Sequence, residues 1–298
     1  MSEIPLSRTM LTLVRREFWE HRALWIAPLI VAGLLLIGAS FGNISAGNAA
    51  EGARAMASGF AGIAMWGFNL VQMVVLSIVM WFYLTDCLYT ERKDRSILFW
   101  KSLPVNDTQT VLSKALVAII AMPLLVILVS TATNLLVCVI WSVRAGSLAA
   151  AGKVWDPQVL LAVESHLVVS NLIIALWVAP VTAYLLLVSA WARRNVQLWA
   201  ILPPVLLILI EWLGFRTHYV WTILWYRMGG WWQGRTANAF FDGDQMMHMA
   251  NSSSPSLDFL NAMHMSVVLT NPDLYIGLAV AALLLAATIR IRRYRDDT

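Results

Sequence analysis

Long apolar runs without a charged residue alternate along this chain with short charged segments. The charge-free runs are Ala23–Ala50, Ala55–Thr85, Ala115–Val143, Ser165–Ala192, Asn195–Ile210 and Leu274–Ile289. A hydrocarbon core is crossed by roughly 20 helical residues at 1.5 Å rise each, and the first four runs reach that length. The last two are shorter and borrow from their flanks. Asn271 can cap the sixth span and Pro272 suits its first turn, while Glu211-Trp212-Leu213 extend the fifth toward Phe215. The pattern predicts an all-α membrane protein: one transmembrane domain over 1–298, with spans near 23–40, 64–85, 114–140, 167–191, 197–214 and 272–290.

Between the runs lie three further patterns. Leu6, Met10, Leu11, Val14 and Phe18 share one helical face, with Arg8, Thr12, Arg15 and Arg16 elsewhere, which predicts an amphipathic interfacial helix over 6–22. That charged lead-in is long for the basic region of a cleaved signal. The segment 86–114 carries the apolar block Ile97-Leu98-Phe99-Trp100, which a plain connection does not need, and Asn106 with Gln109 resembles a capping box. It reads as a short amphipathic helix whose aromatics fill a partner's groove or rest in lipid headgroups. Over 216–271, Trp221, Trp225, Trp231 and Trp232 with Tyr219 and Tyr226 precede the Gly229-Gly230 break. A second pattern of Leu257, Leu260, Met263 and Val267 follows. Together they predict two interfacial or re-entrant helices forming an outer lid.

Composition and charge sharpen this picture. Hydrophobic residues make up 59% and charged residues 13%, against about 45–50% and about 25% in soluble domains. Lys and Arg concentrate before span one (Arg8, Arg15, Arg16, Arg22), between spans two and three (Arg92, Lys93, Arg95, Lys101, Lys114) and after span six (Arg290, Arg292, Arg293, Arg295). By the positive-inside rule both termini are cytoplasmic, as for a multi-pass protein of the cell (inner) membrane. The basic balance therefore reports topology, and no aromatic-interleaved basic stripe suggests nucleic acid.

Candidate chemistry is sparse. There is no HExxH, no GxSxG and no phosphate-cradling loop, since Gly152-Lys153 lacks the upstream glycine. No catalytic residue, metal or cofactor is expected on this chain. Met246-Met247-His248-Met249 and Met263-His264-Met265 could ligate copper(I), though Met also fills irregular packing gaps. These outer Met and His groups define an alternative reading, a membrane protein that binds copper or haem, although a haem site needs facing histidines inside spans and His166 lies only at the rim of span four and His218 beyond span five. Cys87 and Cys138 fall at opposite ends of spans and cannot bond to each other. Within the spans lie Asn69 and Gln72 (on a face with Met73, Ser77 and Met80), Thr131, Thr133, Asn134, Ser170 and Asn171. Glu211 is the one acidic group expected at membrane depth, where it could pair with Arg216. Such groups either bond neighbouring helices, at about 0.6 kcal/mol per contact, or line a substrate path. Pro28, Pro123, Pro180 and Pro203-Pro204 should bend or break their helices.

Glu91-Arg92, Ser96-Ile97-Leu98, Ser102-Leu103-Pro104-Val105 and Lys114 resemble a segment of the permease subunits of type-2 (type V) ATP-binding-cassette exporters. The N-terminal Arg15-Arg16-Glu17-Phe18 helix, the six spans and the long segment before span six are similar too. Arg95 stands where that family often has glycine. The resemblance implies a coupling helix over 91–103, with Glu91, Arg92, Arg95, Ile97, Phe99, Trp100 and Leu103 contacting a separate ATP-binding subunit that holds ATP and Mg. It also implies a second permease copy or homologous permease, and export as the direction. Spans two and five would line the cavity, making Asn69, Gln72 and the Pro203–Glu211 stretch substrate-facing; with the polar Asn134 of span three and Asn171 of span four, Asn69, Gln72 and Glu211 are the substrate-path candidates.

Overall fold

The chain's long apolar runs fold as helices because in lipid every backbone N–H and C=O must be satisfied within its own segment. A computed structural model describes residues 6–41, 61–94, 106–144, 148, 152, 154–230, 257, 260 and 265–294. Helix α1 covers Leu6–Glu20, α2 Ala23–Phe41, α3 Ala61–Lys93, α4 Asp107–Arg144 and α5 Pro157–Trp177. Then come α6 Ala179–Trp191, α7 Val196–Phe215, α8 Tyr219–Trp225, α9 Met265–Thr270 and α10 Pro272–Tyr294. Among the described residues there is no strand. Six helices, α2, α3, α4, α5, α7 and α10, are long and apolar enough to cross a membrane. The protein is an all-α, multi-pass membrane protein.

Local chemistry explains the boundaries. The carboxylate of Asp156 accepts from Gln158 N at 2.9 Å and caps α5 ahead of Pro157. This helix therefore begins well before the charge-free run and includes Glu164. Pro180 lacks an amide hydrogen and sits in the first turn of α6, so α5 and α6 meet at a break over Val178. In α4, a π turn over Val117–Ala121 precedes Pro123. Pro28 and Pro203-Pro204 lie inside helices that run on without interruption. Asn195 and Arg216, at φ 49° and 55°, take the left-handed turn at the two ends of α7.

Two apolar cores form, one toward each end of the bundle. The first joins Leu24, Met80, Leu84, Leu88, Val111, Met122 and Leu186, at the end where α1 packs. The second joins Met65, Val137, Trp141, Val163, Trp177 and Leu274. Between α6 and α10, Ala179, Ala183 and Ala281 let the backbones approach closely, as membrane packing favours. At that second end Arg227 stacks over the Trp177 ring, 4.7 Å from its centroid, and donates to the Asp273 carbonyl. A Cβ at Gly277 would meet that guanidinium, so glycine makes the room. Helix α7 is the peripheral one: only Val196 and Ala200 are buried.

Candidate functional site

At the α1 end, four helices converge on a buried lattice of charges. Glu17, on α1, accepts from Lys114 Nζ at 2.8 Å and from the Tyr83 hydroxyl at 2.9 Å. Lys114 lies 3.1 Å from Glu91 Oε1, whose other oxygen takes Arg292 Nη1 at 2.8 Å. Arg292 Nε reaches Asp107 at 3.1 Å. Arg16 bridges Glu91 at 3.2 Å and Glu20 at 2.6 Å. Lys114 and Glu17 are 0% and 1% exposed. Removing a buried ion from water costs several kcal/mol, which only close pairing and hydrogen bonds offset. Each member here is a neighbour's counter-ion.

The consequence is mechanical. Glu91 lies near the end of α3, and Asp107 and Lys114 open α4, so the lattice grips both helices that flank segment 95–105. It ties them to α1 and to the end of α10. Arg92 adds a link to α6 through the carbonyls of Ser189 and Ala192, at 2.5 and 2.9 Å. Ser189 Oγ in turn accepts from the backbone of Leu88 and Tyr89. The backbone N–H of Asn106 donates to Gln109 Oε1 at 3.0 Å at the start of α4. Arg95, Ile97, Phe99, Trp100 and Leu103 lie outside the described residues.

Two groups at the end of α1, Arg16 within it and His21 just past it, depart from their ordinary titration. Burial and the charge of Lys114 lower the His21 pKa, against Glu17, Glu20 and Asp86. His21 meets Tyr83 edge-on at 5.0 Å. Burial would lower Arg16 as well, but the carboxylates of Glu20, Glu91 and Glu17 outweigh it and raise it. Glu17, Glu20 and His21 present ligand atoms within 4.8 Å of one another. Both carboxylates already hold a cationic partner, so a metal there would have to displace Lys114 and Arg16. The Met246–Met249 cluster, Met263 and His264 lie outside the described residues, as do Trp231 and Trp232.

Four of the five path candidates form or adjoin one polar cluster within the bundle. Asn171 Nδ2 donates to Asn69 Oδ1 at 3.1 Å, and Ser130 Oγ reaches Gln72 Oε1 at 2.8 Å. Gln72 Nε2 lies 3.4 Å from Thr133 Oγ1. Asn69, Gln72, Asn134 and Asn171 are all buried, and the amides of Asn69, Gln72 and Asn171 bond to one another or to the hydroxyls of Ser130 and Thr133. Asn134 Nδ2 turns instead to Glu164 Oε1 at 3.1 Å, beside Thr131 Oγ1, which donates to Oε2 at 2.5 Å. Glu164 is thus a further carboxylate on a span-length helix, placed well inside α5. It escapes notice in the sequence because it precedes the charge-free run Ser165–Ala192; only the Asp156-Pro157 start could have revealed it.

Glu211 stands apart. Its oxygens accept from Thr217 Oγ1 at 2.7 Å and from the N–H groups of Tyr219 and Val220 at 2.6 and 2.7 Å, capping the first turn of α8. Arg216 lies over Trp212 instead of pairing with it. His166 bonds the Ala162 carbonyl at 2.9 Å on its own helix. Cys87 and Cys138 are free and buried. No protein-family model, curated protein or solved structure matches the chain.

Proposed function

We propose that this chain is the membrane-spanning subunit of an ATP-driven exporter of the type-2 ATP-binding-cassette kind. ATP and Mg would be held by a separate subunit, and a second permease copy or homologue would complete the pathway. The observation that carries the reading is the buried charge lattice linking α1, α3, α4 and α10. Force applied to segment 95–105 from the aqueous side would reach α3 and α4 directly, and α1 and α10 through Glu91, Lys114 and Arg292. A loop that merely joined two spans would need no such clamp. Both termini would be cytoplasmic, which puts Phe99 and Trp100 on the side where nucleotide is found. The chain itself would carry out no hydrolysis.

The test is side-specific labelling. In Trp100→Cys, a membrane-impermeant maleimide should label inside-out vesicles and spare right-side-out ones; Cys87 and Cys138 are buried and should contribute little background. Adding the ATP-binding subunit should shield the new thiol. Labelling from the opposite face would contradict the reading.

A further inference from the structure

Glu164 differs from the other carboxylates that the bundle draws in. Glu17 and Glu91 are each held by cations, whereas among the described residues Glu164 meets only the neutral donors Thr131 and Asn134. It lies seven residues into α5, about 10 Å along the axis at 1.5 Å per residue. Leu161 and Val168, one turn either side on the same face, are 72% and 37% exposed. On α4, Leu128 and Leu135 flank Thr131 in the same way, at 68% and 45%. The partly exposed carboxylate therefore interrupts an exposed apolar stripe on α4 and α5, the kind of surface that a spanning helix turns toward hydrocarbon. A charge at that depth is costly without a counter-charge. Two donors also leave roughly half of a carboxylate's acceptor positions open.

We propose that Glu164, with Thr131 and Asn134 fixing its oxygens, forms a laterally open site for the ammonium head of an amphiphile dissolved in the bilayer. The ammonium would close the ion pair, and its chain would lie along Leu128, Leu161 and Val168. A divalent metal fits poorly: Ca²⁺ takes about 6–8 oxygen ligands, and here one carboxylate is joined by an amide that turns its N–H inward. Thr131 and Asn134 are positioning residues, orienting the carboxylate between α4 and α5. The site stands on this chain alone and does not depend on any ATPase, so its failure would leave the exporter reading untouched.

The experiment uses the full chain in dodecyl maltoside micelles, which carry no ammonium group, with radiolabelled dodecyltrimethylammonium as probe. Saturable binding of one equivalent is expected, displaced by unlabelled ammonium but not by dodecanol. Glu164→Gln should weaken it at least about tenfold, the loss of one close ion pair at low dielectric, with an unchanged gel-filtration profile. Adding phosphatidylethanolamine separates two sources of the same chemistry. If it displaces the probe, the natural occupant is a lipid headgroup; if it does not, the occupant is a free cationic amphiphile, and both results sustain the site. Equal competition by dodecanol on the wild-type chain, or unaltered affinity in Glu164→Gln, would overturn it and leave Glu164 as a bridge between helices.

Discussion

Lys114 is fully enclosed, and both Glu17 and Glu91 depend on it. Removing one member of a buried ion pair costs about 3–5 kcal/mol because the other charge is stranded. Lys114→Met should therefore lower the thermal midpoint sharply in detergent, and adding Glu17→Gln should recover part of the loss. Failure of the double variant to recover any would mean the two charges do not interact. His21 gives a pH signature. Its pKa in the folded chain lies below the free value, so its stabilising contribution is complete above about pH 6.5 and is lost as pH falls through the folded value. Melting curves between pH 7.5 and 5 should show that decline, and His21→Phe, which keeps an edge contact with Tyr83, should flatten it. Sequence alone singled out Glu91, Arg92 and Lys114 through a family likeness. It could not show that Lys114 meets Glu17 or that Glu91 meets Arg292, since those contacts join residues 97 and 201 positions apart.

At the scale of helices, the apolar runs made six spans legible because the bilayer demands length and low charge and little else. Their ends were less legible. Asp156 and Pro157 start α5 outside the charge-free run, and Pro180 divides what reads as one span into α5 and α6. Pro203-Pro204, expected to bend or break their helix, do not break α7. Interhelical pairing decides how the amides are read. Gln72 bonds across to α4 through Ser130 and Thr133, so Gln72→Leu should cost about 1 kcal/mol, from contacts of about 0.6 kcal/mol each. A stability loss of that size, measured by unfolding in mixed micelles, would mark the amide as helix glue. An unchanged stability with altered cargo movement would mark it as part of the path.

For the whole molecule, the arrangement is a bundle clamped at one end and sparsely buried along α7. The clamp sits at the base of the segment that carries the aromatic block Phe99-Trp100, and that placement is what would make the proposed energy-coupling role economical in physical terms: one push would move four helices. The expectation of export rests on the family resemblance and not on the lattice. The most direct test is affinity purification of the chain from its native membranes. The account predicts that a polypeptide with a phosphate-cradling ATP site co-purifies in equal amount and is lost in Phe99→Asp/Trp100→Asp, while the variant itself stays folded. Recovery of the chain without any such partner, or a partner retained by the double variant, would contradict it.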